Sequence, residues 1–131
     1  MSQSVRHHIL IVDSEDIVGK LLAFTFEQKC NDSTRIVLSR DEGWASIQAE
    51  PPDAVFIYLW TDGVNASEFC QRLRSEQELN VPVIVWGMMD PEEVYQELEQ
   101  AGATGYLYLP CSPEKLLAAR DAALRGGTYF P

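Results

Sequence analysis

Residues 9–13 read ILIVD, four apolar residues of high strand propensity followed by a carboxylate. A run that is apolar on both faces predicts a strand in the middle of a parallel sheet. Behind it, apolar residues recur at helical spacing from Asp16 to Cys30, which predicts a helix that Ser14 or Asp16 caps. This part of the chain is therefore predicted to form a strand, an acidic turn and a helix.

The alternation of strand and helix continues along the sequence. Four more apolar runs predict strands at 34–38 (TRIVL), 53–59 (DAVFIYL), 81–86 (VPVIVW) and 105–109 (GYLYL). Four more helices are predicted, one capped by Ser39 or Asp41, one over 66–78, and two that begin after Asp90 and Ser112. Five such pairs with short connections predict an α/β protein with a doubly wound, five-stranded parallel sheet. Functional sites in such sheets lie beyond the carboxyl ends of the strands.

The charge of the chain is strongly acidic, with 20 Asp and Glu residues against 10 Lys and Arg and a formal net charge of -10. Because nucleic acids and many membrane surfaces are themselves negative, we expect this domain to bind neither. The cysteines Cys30, Cys70 and Cys111 have no C-x-x-C spacing, which favours reduced thiols in a cytoplasmic protein. No apolar stretch approaches the length of a membrane span.

Four segments resemble the receiver domains of two-component response regulators. They read ILIVDSED, PDAVFIYLWTDG, VPVIVWGMMD and AGATGYLYLPCSPEKL. The resemblance implies a flavodoxin-like receiver fold of strand order 2-1-3-4-5, and we assign residues 1–125 to a receiver-like domain. Residues 126–131 are a tail or the start of a linker, because LRGGTYFP resembles the segment that joins some receivers to a helix-turn-helix output domain.

The receiver family uses five groups for phosphoryl transfer. Two acids hold Mg²⁺, an Asp accepts the phosphoryl group, a Thr or Ser binds its oxygens and a Lys offsets negative charge. The matching positions in this sequence are Asp13, Ser14, Tyr58, Gly87 and Leu109. Serine is a poor ligand for Mg²⁺ and a phenol is not a carboxylate at neutral pH. The resemblance therefore predicts a degenerate pseudo-receiver without a metal or cofactor, in which Asp13 caps the turn into the first helix or is simply solvated.

Two alternatives to this interpretation are open at the level of sequence, and a third is disfavoured. A displaced acceptor, Asp62 or Glu15, would make the chain a functioning phospho-receiver. An aromatic site between Tyr58, Trp86 and Tyr106 would make it a small-molecule sensor, and Tyr106 also resembles the family's switch aromatic. An enzyme is not expected, because no nucleophile–base pair or phosphate-binding loop is visible.

Aromatic and methionine side chains near the carboxyl ends of the strands form the candidate interaction surface. They are Trp60, Trp86, Met88, Met89 and Tyr108. The fourth helix is acidic and the fifth carries Lys115, Arg120 and Arg125, so two copies would complement each other across a two-fold axis. The predicted function is a phosphorylation-independent interaction or dimerisation module in phosphorelay signalling and transcription regulation. It would bind a protein partner or itself through the face of helix four, strand five and helix five.

Overall fold

The computed structural model describes residues 6–76 and 80–131. Its strands are β1 (His8–Val12), β2 (Ser33–Val37), β3 (Ala54–Tyr58), β4 (Val83–Gly87) and β5 (Gly105–Tyr108). Its helices are α1 (Val18–Cys30), α2 (Arg40–Ala49), α3 (Ala66–Ser75), α4 (Pro91–Ala101) and α5 (Pro113–Leu124). A short 3-10 turn, Thr61–Gly63, follows β3. The predicted alternation is confirmed, while the predicted end of the third helix, at residue 78, lies outside the described residues.

The five strands form one parallel sheet of order β2-β1-β3-β4-β5, as predicted. The hydrophobic central strands β1, β3 and β4 are buried because helices cover both faces of the sheet. The parallel arrangement brings the carboxyl ends of the strands to one edge, which places the residues after β1, β3, β4 and β5 together.

The core has two parts, one on each face of the sheet. On one face the apolar residues of α1 and α5, such as Phe26 and Leu116, pack against the strands. On the other face α2, α3 and α4 contribute residues such as Ile47, Phe69 and Leu98. Because successive residues of a strand point to opposite faces, neighbours in β4 and β5 belong to different parts of the core.

Three helix caps agree with the sequence and one differs. The side chains of Ser39, Asp90 and Ser112 accept hydrogen bonds from first-turn backbone N–H groups of α2, α4 and α5, at 3.1, 3.1 and 3.3 Å. In contrast, α1 begins two residues later than predicted, and neither Ser14 nor Asp16 caps it. The residue before its first turn is Ile17, whose side chain has no capping oxygen.

A buried ion pair ties the turn after α1 to α5. The Asp32 carboxylate is fully buried, and its oxygens lie 2.7 Å from the Nε and 2.7 Å from the Nη2 of Arg120. These hydrogen bonds to Asp32 raise the pKa of Arg120 above its ordinary value. The two-pronged geometry matches the fork of a guanidinium to a carboxylate, so both buried charges are satisfied.

Candidate functional site

Asp13 lies at the carboxyl end of β1 and is buried, with 1% of its surface exposed. Its Oδ1 accepts a hydrogen bond from the backbone N–H of Glu15 at 2.9 Å, and its Oδ2 accepts one from Gly19 at 2.8 Å. A Cβ on Gly19 would stand 2.9 Å from Oδ2, so the helix can approach the carboxylate only because residue 19 is glycine. Asp13 thus joins β1 to the first turn of α1, in the capping role expected for it.

Ser14 connects the first turn to the loop after β3. Its Oγ accepts a hydrogen bond from the backbone N–H of Asp62 at 3.1 Å. The Asp62 carboxylate in turn accepts from the backbone N–H of Arg40 at 2.8 Å and lies 3.9 Å from the Arg40 Nε. The candidate displaced acceptor therefore faces the start of α2 and is held there by a cation. Asp62 has a left-handed backbone, with φ of 60°, which fixes it at the tip of the turn.

Tyr58 packs against Trp86 at the end of the sheet. Their ring centroids are 5.9 Å apart with an angle of 37° between the planes. Tyr58 is half-buried, whereas Trp86 has only 1% of its surface exposed. The Trp86 indole N–H finds no hydrogen-bond partner among the described residues. The position that the resemblance assigns to the phosphoryl acceptor is therefore part of an aromatic contact.

Gly87 and Tyr106 share one space on the opposite face of the sheet. A Cβ on Gly87 would lie 3.0 Å from the Tyr106 hydroxyl oxygen and 3.1 Å from the Cβ of Leu59. The hydroxyl donates a hydrogen bond to the backbone oxygen of Met89 at 2.9 Å. Burial of the ring raises the pKa of Tyr106 to about 12. The inward ring therefore leaves little room for a Thr or Ser side chain at residue 87.

Leu109 lines an apolar groove between α1 and α5. The groove has a volume of about 140 Å³, and its walls include Val18, Leu22 and Leu116. A lysine ammonium in this position would meet mostly carbon, which disfavours a charged group. The position that the resemblance assigns to the charge-offsetting Lys is thus an extension of the apolar core.

These contacts do not suit a magnesium ion. Mg²⁺ prefers several oxygen ligands, above all carboxylates. Both Asp13 oxygens already accept backbone N–H groups, Ser14 bonds to the Asp62 amide, and Tyr58 presents a ring. Within residues 6–76 and 80–131, no group of three or more His, Cys, Asp or Glu side chains is placed to hold a metal.

The predicted aromatic pocket between Tyr58, Trp86 and Tyr106 is wrong. Tyr58 and Trp86 pack in the part of the core under α1 and α5, whereas Tyr106 packs in the part under α2, α3 and α4. The register explains the difference, because Tyr106 pairs with Val85 and so shares its face of the sheet rather than that of Trp86. The sheet separates the rings, which cannot line one ligand site.

Three of the five residues predicted for the candidate interaction surface are exposed, and two are not. Trp60, Met88 and Tyr108 are exposed, at 40%, 72% and 46%. Trp86 is buried, and Met89 is partly buried against the core, so neither belongs to the surface. The loop after β4 turns inward at Met89 because its carbonyl bonds to the Tyr106 hydroxyl.

Sequence reasoning missed a second apolar surface, on α1. Ile17, Leu21 and Phe24 are 74%, 63% and 62% exposed, whereas the helix buries Leu22 and Phe26. The apolar residues of this helix lie on more than one face, so helical spacing alone did not separate the two sets. Of the exposed set, Leu21 lines the groove that contains Leu109.

The charges on α4 and α5 are only partly as predicted. The four glutamates of α4 are exposed: Glu92, Glu93, Glu97 and Glu99. Lys115 on α5 and Arg125 just after it are exposed, but Arg120 is bound to Asp32 and Asp121 within the chain. The prediction that Arg120 contributes to an intermolecular basic face is therefore wrong.

The segment at residues 128–131, here called the tail segment, returns to the sheet and lies along β5. Tyr129 forms a parallel bridge with Gly105. Its N–H donates to the Thr104 carbonyl at 2.9 Å, and its carbonyl accepts from the Tyr106 N–H at 2.9 Å. The predicted interaction face of α4, β5 and α5 is thus covered in part by the chain's own residues.

The fold and the position of the candidate site define a doubly wound α/β protein whose site lies at the carboxyl edge of a 2-1-3-4-5 sheet. The sequence profile of the response regulator receiver domain matches residues 9–121. Since this match spans most of the chain, the chain belongs to the response regulator receiver domain family.

Curated relatives are longer proteins. The chain is 26% identical over 122 residues to the DNA-binding response regulator MtrA of Mycolicibacterium smegmatis, covering 93% of this chain and 52% of that protein. It is 28% identical over 119 residues to the alkaline phosphatase synthesis transcriptional regulatory protein PhoP of Bacillus subtilis, covering 89% and 48%. The chain spans about half the length of these relatives.

Solved structures share the fold. A LuxR-family two-component response regulator from Aurantimonas sp. SI85-9A1 aligns with a TM-score of 0.86 at 21% identity, covering 95% of this chain and 89% of that one. Chemotaxis response regulator CheY4 of Vibrio cholerae aligns with a TM-score of 0.81 at 23% identity, covering 92% and 100%. None of the helices in the described part of the chain is long and apolar enough to cross a membrane.

Proposed function

We propose that the chain is a pseudo-receiver, a receiver-type interaction module of two-component phosphorelay signalling that works without accepting a phosphoryl group. The observation that supports this most directly is the filling of the candidate site. Both oxygens of Asp13 accept backbone N–H groups, Tyr58 packs on Trp86, and Tyr106 occupies the space beside Gly87.

The chemistry of transfer supports the same proposal. Phosphoryl transfer depends on positioned cations that offset the negative charge of the transferred group and on a nucleophile in line with it. The carboxyl edge supplies a phenol at residue 58 and an aliphatic side chain at residue 109. The candidate displaced acceptor Asp62 already contacts Arg40. We therefore propose no reaction for this domain itself.

The module would act by binding a protein partner or a second copy. The face formed by α4, β5 and α5 supports self-association because α4 is acidic while Lys115 on α5 and Arg125 at its end are exposed cations. A two-fold axis would set α4 of each copy against α5 of the other, so each contact occurs twice. Charge complementarity of this kind fixes orientation and speeds encounter more than it adds affinity.

The relatives suggest the setting in which the module acts. MtrA is named a DNA-binding response regulator and PhoP a transcriptional regulatory protein. We propose that this chain serves transcription regulation in the cytoplasm, with its own surface making protein contacts. The net charge of -10 disfavours direct contact between this domain and nucleic acid.

The first experiment adds Mg²⁺ with acetyl phosphate, and separately with beryllofluoride, while intact mass and tryptophan fluorescence are followed. Trp60 and Trp86 lie near the candidate site, so binding there changes their emission. We expect neither a gain in mass nor a spectral change. A receiver that contains all five groups of the family serves as the control for the reagents.

The Asp62→Asn variant is the matched control for a displaced acceptor. A phosphoryl-sized gain in mass that needs Mg²⁺ would refute phosphorylation independence. If that gain disappears in Asp62→Asn, the acceptor is Asp62 and the chain is a functioning receiver with a displaced site. If the gain persists in Asp62→Asn, peptide mapping of the modified residue identifies the acceptor.

A further inference from the structure

The tail segment is held on β5 by both backbone and side-chain contacts. Besides the two hydrogen bonds of Tyr129, the Tyr95 hydroxyl on α4 donates to the backbone oxygen of Pro131 at 2.9 Å. The Phe130 ring packs edge-on against Tyr95 with centroids 5.2 Å apart. Tyr95 packs in the same way against Tyr106, at 6.1 Å. The tail segment thus completes an aromatic row that joins α4 to β5.

Gly105 makes this close approach possible. A Cβ at residue 105 would stand 2.5 Å from the Tyr129 carbonyl oxygen and 2.8 Å from the Tyr129 Cβ. Distances this short between nonbonded heavy atoms require the tail segment to move away. The tail segment can therefore pair with the sheet only because residue 105 has no side chain.

The contact is also incompletely packed. A cavity of about 310 Å³ lies between the tail segment and the body of the domain, with Tyr95, Tyr108, Lys115 and Tyr129 among its walls. The pairing with β5 consists of a single bridge, at Tyr129. Short pairing beside a cavity opens more readily than a strand in the middle of a sheet.

The strand under the tail segment is an edge strand. Among the described strands, β5 has only β4 as a neighbour, so its outer side carries backbone groups that can pair with another chain. Tyr108, the last residue of this strand, is exposed and lines the cavity together with Lys115 of α5. An open β5 edge flanked by complementary charges is suited to a second copy of the chain in a two-fold arrangement.

We propose that the tail segment is a cis competitor of self-association: docked on β5, it keeps the chain monomeric, and when it is displaced the α4–β5–α5 face pairs with the same face of a second copy. This inference rests on the proposed function, since it concerns the regulation of the face through which the module binds. The competition is direct, because Tyr129 bonds to the backbone N–H of Tyr106 that an added strand would use.

The test compares the full chain with two variants that leave its charge unchanged. Gly105→Ala forces the Tyr129 backbone outward, and Phe130→Ala removes the ring contact with Tyr95. Thr128→Ala is the control, since Thr128 is exposed. Sedimentation equilibrium gives the dimer dissociation constant of each, and amide exchange at Tyr106 reports whether the tail segment is docked.

We expect both variants to dimerise at least about tenfold more tightly than the intact chain and Thr128→Ala, a change of about 1.4 kcal/mol. Exchange of the Tyr106 amide is expected to be slow in the intact chain and faster in the monomeric variants at low concentration. Adding Lys115→Glu to Phe130→Ala is expected to weaken the new dimer, because it opposes the glutamates of α4.

Several outcomes would overturn the proposal. If the intact chain and the variants self-associate equally, the tail segment does not compete with a second copy. If the variants self-associate more weakly, the tail segment is part of the interface. If Lys115→Glu leaves the dimer dissociation constant unchanged, the dimer forms through another face. Sedimentation tests this inference, whereas intact mass tests whether the chain works without accepting a phosphoryl group. A negative result for one proposal can therefore be told apart from a negative result for the other.

Discussion

The hydroxyl oxygen of Tyr106 lies 3.0 Å from the point at which a Cβ on Gly87 would stand. The ring of Tyr106 is fully buried, and its hydroxyl donates to the Met89 carbonyl at 2.9 Å. A side chain at residue 87 and an inward ring at residue 106 therefore compete for one volume. In this protein the ring occupies it.

Gly87→Thr is expected to lower the free energy of unfolding by about 1–3 kcal/mol, because added atoms overpack a filled space. Chemical denaturation measures the change. Gly127→Thr is the control, because the only described atom near its added Cβ is a carbonyl oxygen at 3.5 Å. In a Tyr106→Ala background, Gly87→Thr is expected to cost less than it costs alone, because the ring no longer occupies the space. Equal losses at both glycines would contradict this account of the site.

Asp13→Ala is expected to cost about 1–3 kcal/mol of stability, since it leaves the N–H groups of Glu15 and Gly19 without their acceptor. Asp13→Asn retains one acceptor oxygen and is expected to cost less. Thermal unfolding measures both variants, with and without millimolar Mg²⁺. We expect Mg²⁺ to leave the melting temperature of the intact chain unchanged. A Mg²⁺-dependent rise that Asp13→Ala abolishes would show that the carboxylate binds the ion.

Asp32→Asn is expected to destabilise the fold by about 1–3 kcal/mol, because it removes the buried carboxylate that binds two nitrogens of Arg120 and leaves this guanidinium only the partly exposed Asp121. The matched control is Asp121→Asn, which removes the other, partly exposed carboxylate on Arg120 and is expected to cost at most about 1 kcal/mol. Urea denaturation measures both. A similar cost for the two would mean that the burial of the pair contributes little.

Tyr106 is expected to make stability fall in alkali. Its pKa rises from 10.0 to about 12 on folding, so the folded chain holds this proton more tightly than the unfolded chain. The stabilisation is complete below pH 10 and is lost as the pH rises from about 10 to about 12. Tyrosinate absorbance follows the titration, and Tyr106→Phe is expected to remove the transition with the highest pH. If Tyr106→Phe leaves that transition in place, another tyrosine is the most strongly shifted.

The element order, the sheet order and three helix caps could be predicted because each depends on local or repetitive signals. Apolar runs such as 53–59 indicate central strands, and Ser39, Asp90 and Ser112 precede helical spacing directly. The residues predicted for the candidate site also lie at one edge of the sheet, because parallel strands end there together.

Other features depend on contacts that no local pattern encodes. Asp32 and Arg120 are 88 residues apart, so the sequence around either residue does not predict their ion pair. The exposed set on α1 was missed because its apolar residues lie on several faces. Tyr106 was misplaced relative to Trp86 because the faces of β4 and β5 were not assigned residue by residue.

The filled carboxyl edge constrains any attempt to engineer a phosphorylation site into this chain. A threonine introduced at residue 87 meets Tyr106, an aspartate introduced at residue 58 loses the ring contact with Trp86, and a lysine introduced at residue 109 enters an apolar groove. Each substitution on its own is expected to cost stability, since its neighbours pack against the present residues. Such a design would therefore need several coordinated changes at once.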